Sequence, residues 1–95
     1  MIISQKGLDL IKKFEGFCEK EYICPAGKPT IGYGHVILPN ESFVEPMTKK
    51  EAEILLKKDL EPRGAALNKF LKVKITQNQF DALMCLIYNI GVSNF

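Results

Sequence analysis

The residues best suited to chemistry are Glu15, Cys24 and Thr30, a carboxyl, a thiol and a hydroxyl separated by eight and five residues. Glu15 is predicted to end a helix, where backbone carbonyls present partial negative charge and disfavour a carboxylate. Partial burial beside Phe14 and Phe17 would raise its pKa in the same direction. A carboxyl group that stays protonated near neutral pH can act as a general acid. The alternative is a solvated glutamate at a helix end.

Cys24 and Thr30 flank a proline- and glycine-containing turn over residues 25–29. If this segment is a five-residue hairpin loop, the two residues are cross-strand neighbours on one face, with Cβ atoms about 5 Å apart. The hairpin would then form one wall of a cleft and Glu15 the other. The simpler interpretation makes Cys24 a small buried apolar residue and Thr30 a strand former.

The segment Gly32-Tyr33-Gly34-His35 holds further candidates. Its glycines suggest a phosphate loop, but no helix start follows them, so structural glycines are favoured. His35 is the single histidine and has no partner at metal-ligand spacing, which favours a hydrogen-bonded structural role. Tyr22 and Tyr33 are candidates to line a groove, although packing explains them equally well. The three cysteines lack CxxC spacing and predict free thiols.

The first half of the chain is predicted to place these residues on one helix and a small antiparallel sheet. Ser4 is a suitable cap for a helix over 4–15, in which Leu8, Ile11 and Phe14 form an apolar stripe. The sequence then changes to alternating glycine, proline and β-forming residues. The predicted strands cover residues 17–23, 29–33 and 36–38.

The second half of the chain is predicted to be helical. A loop over 39–47 leads to a capping box, Thr48 to Glu51, that begins a helix. Pro62 should kink or break this helix because proline lacks an amide hydrogen. A second capping box, Thr76 to Gln79, begins a segment that is apolar nearly all round, so we expect a helix that is buried on all sides.

Composition excludes several classes of function. The chain has 95 residues, of which 46% are hydrophobic and 25% charged, as in a single soluble globular domain. A net charge of +2 with scattered lysines argues against nucleic-acid binding. No apolar run is long enough to span a membrane, and the N-terminus does not have the pattern of a signal peptide.

Taken together, Glu15, Cys24 and Thr30, followed by IGYGH, resemble the signature of the phage-type lysozymes, or endolysins. That signature has a glutamate at the end of the first helix, then Asp or sometimes Cys, then Thr in a β-hairpin that ends in a Gly-x-Gly-His segment. The stretch from Thr76 to Phe95 resembles the buried central helix of the family and the turn after it. The resemblance covers essentially the whole chain and implies a lysozyme-like α+β fold.

The resemblance implies hydrolysis of the β-1,4 bond between N-acetylmuramic acid and N-acetylglucosamine in peptidoglycan, without a cofactor or metal. Glu15 would protonate the leaving oxygen, Cys24 would replace the second carboxylate, and Thr30 would position water or the intermediate. Tyr22, Tyr33 and Gly34 are the expected substrate-binding residues.

Two features depart from the family pattern. An unperturbed cysteine is only a few per cent thiolate at neutral pH, and the neighbouring glutamates would not lower its pKa. We therefore expect Cys24 either to be a weaker second group than Asp or mainly to keep the shape of the site while Thr30 and water act. The family's chain also continues into further helices. We therefore expect one lysozyme-like domain over 1–95, with a β-lobe over 17–38 and a helical part over 48–95 that is incomplete at its C-terminus. Dimerisation or domain swapping would cover the gap.

Alternatives follow from the same departures. An incomplete groove would make the chain an inactive remnant that only binds the cell wall or has a structural role. The motif also leaves open chitin or another N-acetylglucosamine polymer as the substrate. The resemblance implies a protein that accumulates in the cytoplasm of a bacterial host and reaches the wall after a separate event permeabilises the membrane.

Overall fold

The computed structural model describes residues 1–90, which form helices around a small antiparallel sheet. Residues 91–95, at the end of the predicted helical part, lie outside the described residues. The predicted α+β class and the order of its elements are confirmed. The elements are α1 (Gln5–Glu15), β1 (Cys18–Ile23), β2 (Pro29–Gly32), β3 (His35–Val36), α2 (Lys49–Phe70) and α3 (Gln77–Ile90).

Helix α1 begins and ends where its local sequence predicts. The Ser4 side chain caps it by accepting a hydrogen bond from the backbone of Gly7, and Gly16 ends it with a φ of 72°. Glu15 is therefore the last helical residue. The predicted stripe is only partly correct, because Leu8 and Ile11 are buried but 68% of Phe14 is exposed.

The sheet has the order β1-β2-β3, but the predicted hairpin register is wrong. Tyr22, rather than Cys24, lies opposite Thr30. The Cys24 amide donates to the Lys28 carbonyl at 3.0 Å, and Gly27 adopts a φ of 79°, so the loop is tighter than five residues. Because the register differs by an even number of positions, Cys24 and Thr30 remain on one face, as diagonal neighbours.

Helix α2 begins at the predicted capping box, with reciprocal hydrogen bonds between Thr48 and Glu51. It continues through Pro62 to residue 70, so the expected break is wrong. Pro62 is solvent-exposed, and its missing amide hydrogen leaves an unpaired carbonyl that water can reach. Next to it, the Arg63 side chain donates to the Asp59 carbonyl.

Helix α3 packs against α1 and α2 through one face only. Its capping box is confirmed by hydrogen bonds between Thr76 and Gln79. Its buried apolar side chains are Phe80, Met84 and Ile87. On the other face 47% of Leu86 is exposed, so burial on all sides does not hold for residues 77–90.

The start of α1 is joined to the start of α3 through a buried carboxylate. Asp81 accepts a hydrogen bond from the Ser4 amide at 3.0 Å and another from the Ser4 hydroxyl. Burial alone would raise the pKa of Asp81, but these hydrogen bonds outweigh burial and lower it. Gly7 completes the contact, because a Cβ there would lie 2.6 Å from Cγ of Asp81. The two helices therefore approach through backbone and a small polar network.

His35 joins the sheet to α2 and to the loop before it. Its Nδ1 lies 2.7 Å from Oδ2 of Asp59, and its Nε2 lies 2.9 Å from Oε1 of Glu41. The ring also packs edge-on against Phe43. Burial on its own would lower the pKa of His35, but the two carboxylates outweigh it and the pKa is raised. His35 therefore has the hydrogen-bonded structural role that its isolation in the sequence favours.

We predict that His35→Gln lowers the free energy of unfolding most strongly near pH 6. The pKa of His35 in the folded state lies above the unfolded value of about 6.5. The ion pairs of His35 therefore contribute fully to the free energy of unfolding below the unfolded pKa, and this contribution disappears as pH rises through the folded pKa. The loss should be about 2 kcal/mol near pH 6. Urea unfolding followed by circular dichroism from pH 5.5 to 9 measures it, and two parallel curves across that range would contradict the prediction.

Candidate active site

Glu15 occupies a position suited to a general acid. Its side chain is partly buried at the C-terminal end of α1, and this burial raises the pKa of the carboxyl group. Within residues 1–90, its carboxyl group forms no hydrogen bond or ion pair that would favour the carboxylate. The raised pKa agrees with the prediction, but Phe14 is exposed and does not provide the burial.

The turn between β2 and β3 packs directly against this carboxyl group. A Cβ at Gly34 would lie 3.0 Å from Oε2 and 3.1 Å from Cδ of Glu15. Gly34 also has a φ of 83°, a backbone conformation that residues with a Cβ atom rarely adopt. The backbone conformation therefore favours glycine at this position, and a Cβ there would displace the Glu15 carboxyl group, which agrees with the structural interpretation of the glycine pair.

Cys24 is partly buried, and its pKa is lowered. The largest cause is a hydrogen bond with the Lys28 backbone, followed by one with the Thr30 side chain. The buried Thr30 hydroxyl also donates to the Lys28 carbonyl at 3.0 Å. A hydroxyl has one hydrogen, so donation to a Cys24 thiolate competes with this bond. Sequence reasoning missed the Lys28 contribution because it comes from backbone.

Tyr22 and Tyr33 have different environments. Burial raises the pKa of Tyr22, and the charges of Glu15 and Cys24 both raise it further, so its hydroxyl lies within electrostatic reach of both candidate groups. Only 7% of Tyr33 is exposed, and its ring packs 5.5 Å from that of Phe17. The environment of the Tyr33 ring favours the packing alternative, and its contact with a substrate stays a prediction.

Helix α3 contributes residues that sequence reasoning did not assign to the site. Burial, and then the charge of Glu15, raise the pKa of Cys85. The Tyr88 hydroxyl donates to the Tyr33 carbonyl at 2.8 Å. The only signal in the sequence was a tyrosine within an apolar helix, since a buried hydroxyl needs a hydrogen-bond partner.

The part of the chain that the structure describes contains neither a cluster of metal ligands nor a helix that could cross a membrane. Residues 1–90 contain no group of three or more His, Cys, Asp or Glu side chains placed to hold a metal ion. None of the helices in this part of the chain has the length and apolar character that crossing a membrane requires.

The family model for phage lysozymes matches residues 12–95. The chain belongs to this family. Over its full length it is 45% identical to an endolysin from Acyrthosiphon pisum secondary endosymbiont phage 1, of which it covers 64%. The resemblance predicted from Glu15, Cys24, Thr30 and the segment after them is confirmed.

Solved structures of relatives confirm the lysozyme-like fold. An endolysin from Escherichia coli O157:H7 phage FAHEc1 superimposes with a TM-score of 0.88 at 45% identity, covering 98% of this chain and 60% of that one. The muramidase domain of SpmX from Asticaccaulis excentricus gives a TM-score of 0.83 at 40% identity, covering 96% and 60%. The chain therefore spans less than two thirds of the length of these relatives.

We predict that Gly34→Ala displaces the Glu15 carboxyl group, whereas Gly27→Ala does not. The two glycines have similar φ values of 83° and 79°, so alanine imposes similar backbone strain of about 1–2 kcal/mol at each. A Cβ at Gly27 has no atom within 4 Å, but one at Gly34 meets Glu15. Carbon-13 NMR titration of the Glu15 carboxyl should show a changed pKa only in Gly34→Ala, and equal titration curves in both variants would refute the contact.

Proposed function

We propose that this chain carries the catalytic residues of a muramidase, which hydrolyses the β-1,4 bond between N-acetylmuramic acid and N-acetylglucosamine in peptidoglycan. The observation that carries the proposal is the partly buried Glu15 carboxyl group with its raised pKa, packed against the Gly34 backbone. Membership of the phage lysozyme family supports the reaction class. The similarity to proteins named endolysin and muramidase supports the substrate.

Glu15 acts as the general acid in this proposal. Its protonated carboxyl donates to the glycosidic oxygen as the bond to the sugar breaks, and positive charge develops at the anomeric carbon. A raised pKa keeps the proton available at higher pH than for a solvated glutamate. Activity should therefore decline as pH rises through the pKa of Glu15.

Cys24 is the group proposed to balance the developing positive charge. Hydrogen bonds from the Lys28 backbone and the Thr30 side chain favour its thiolate, which carries the same charge as the carboxylate it replaces. Thr30 has a second role in the proposal, since its hydroxyl positions either the attacking water or the intermediate. Tyr22, whose pKa responds to the charges of both groups, and the Gly34 backbone, which packs against Glu15, are the proposed contacts to the glycan.

Peptidoglycan glycan strands are the proposed partner, and host lysis the proposed outcome. The protein would accumulate in the cytoplasm of the bacterial host and reach the wall once a separate event has permeabilised the membrane. Two copies of the chain, or a swapped segment, would cover apolar surface on α3, where Leu86 is exposed.

A second candidate function is a remnant that binds the cell wall without cleaving it. It is favoured by the exposed apolar side chains Leu10, Phe14 and Leu86 on α1 and α3. The catalytic groups would then be present in a groove too incomplete to hold the glycan.

We predict that Glu15→Gln abolishes lysis of permeabilised Gram-negative cells by this chain, with a loss of at least a hundredfold. Glutamine keeps the shape of the side chain but has no acidic proton. Glu19→Gln is the matched control, because Glu19 is an exposed carboxylate on β1 and should leave the rate unchanged. Turbidity measures the rate, and mass spectrometry identifies the sugar at the reducing end.

Reducing muramic acid ends, lost in Glu15→Gln, would support the muramidase. Reducing N-acetylglucosamine ends, or cleavage of chitin oligomers at a similar rate, would favour an N-acetylglucosamine polymer as the substrate. A folded wild-type chain that binds peptidoglycan without lysis would favour the remnant.

We predict that Cys24→Ser lowers the lytic rate at least about tenfold, because a serine hydroxyl does not ionise near neutral pH. Cys24→Asp restores a negative charge and should retain activity. Cys18→Ser is the control, since it makes the same change at a free cysteine at the start of β1, the strand that Cys24 follows. Full activity in Cys24→Ser would refute thiolate chemistry and leave Thr30 and water as the active groups.

A further inference from the structure

A hydrogen bond from α3 holds the turn that contacts Glu15. The hydroxyl of Tyr88 donates to the backbone carbonyl of Tyr33 at 2.8 Å, across 55 positions of the sequence. That carbonyl belongs to the peptide group that joins Tyr33 to Gly34. The bond therefore fixes the orientation of the peptide plane immediately before the glycine that packs against the carboxyl group.

This peptide plane needs an external restraint because of the residue that follows it. Glycine adopts positive and negative φ about equally readily, so the φ of 83° at Gly34 is not enforced by the residue itself. Rotation of the plane would change φ at Gly34 and point the Tyr33 carbonyl in another direction. Such a rotation would also break the bond to Tyr88.

The pairing of Ile31 with His35 closes the hairpin on both sides of this peptide plane, and the other side-chain contacts of the turn hold rings. The ring of Tyr33 packs against Phe17, and Nζ of Lys12 lies 5.6 Å from its centroid. The ring of His35 is held by Asp59 and Glu41. Among the described residues, Tyr88 is the residue whose side chain hydrogen-bonds to the backbone between Tyr33 and His35, at the Tyr33 carbonyl.

We propose that Tyr88 is a positioning residue, which holds the Tyr33–Gly34 peptide so that Gly34 packs against the Glu15 carboxyl group and keeps it partly buried. The effect of Tyr88 on lysis rests on the proposed function, in which Glu15 is the acid. The effect of Tyr88 on the Glu15 carboxyl group does not rest on that function, because this group can be observed without a substrate.

Tyr88 is well suited to this role. Its ring lies 5.1 Å from the guanidinium of Arg63, so the side chain is held on its other side by α2. Burial strongly raises the pKa of its hydroxyl, which therefore stays a protonated donor throughout the range in which a carboxyl titrates. Besides Tyr88, the titratable groups whose pKa values Glu15 raises are Tyr22 on β1 and Cys85 on α3.

The test is Tyr88→Phe, which removes one hydroxyl and keeps the ring that packs against Arg63. We expect the lytic rate to fall about fivefold, because the lost hydrogen bond no longer favours the turn conformation in which Gly34 packs against Glu15. We also expect the pKa of the Glu15 carboxyl, followed by carbon-13 NMR without substrate, to fall towards its ordinary value. The alkaline limb of the activity profile should move to lower pH with it.

Asn68→Ala is the matched control for a general loss of stability. It removes the hydrogen bonds that Asn68 makes with the backbone of Met1, at the other end of α2 from the sheet. This variant should leave both the Glu15 titration and the lytic rate unchanged, although it is less stable.

The two readouts separate the inference from the function on which it builds. An unchanged Glu15 titration in a folded Tyr88→Phe would overturn the positioning role, even if its unfolding free energy were lower. A changed titration in a chain whose wild type does not lyse cells would support the positioning role and count against the proposed function. Equal changes in Tyr88→Phe and Asn68→Ala would also overturn it, since stability alone would then explain them.

Discussion

The pair of hydrogen bonds made by His35 is the interaction on which the candidate site most depends. They attach the short strand β3 to Asp59 on α2 and to Glu41 in the preceding loop. Strand β3 has only two residues and few ladder hydrogen bonds of its own. Because His35 directly follows Gly34, this attachment also holds one end of the turn that covers Glu15. The sheet is therefore held by this charged network as well as by the apolar side chains that it contributes to the core, such as Ile31.

Local chemistry made much of the fold predictable. The helix starts at Ser4, Thr48 and Thr76 follow from side chains that satisfy nearby backbone groups, and all three are confirmed. The hairpin register was not predictable to the same degree, because one glycine with a positive φ decides the loop length. Pro62 was misleading because an exposed helix face tolerates a missing hydrogen bond better than a buried one.

The raised pKa of Glu15 was predictable from the sequence, but the physical causes that shift the pKa values of Glu15 and Cys24 were not. The position of Glu15 at a helix end indicated a raised pKa. The contact that covers its carboxyl group comes from Gly34, which is distant in sequence, and not from the neighbouring Phe14, which is exposed. The lowered pKa of Cys24 comes mainly from backbone, whose donors have no residue-type signature. The role of Tyr88 depends on where α3 lies relative to the sheet, which only the three-dimensional arrangement supplies.

The link between Ser4 and Asp81 has a consequence for synthesis of the chain. These residues are 77 positions apart, yet their hydrogen bonds hold α1 in place. A growing chain therefore exposes Glu15 early but lacks the partner that docks its helix until Asp81 has left the ribosome. Contacts of such long range also slow folding, because a large loop must close before they form. Glu15, the proposed acid, is therefore translated well before the residue that fixes the start of its helix.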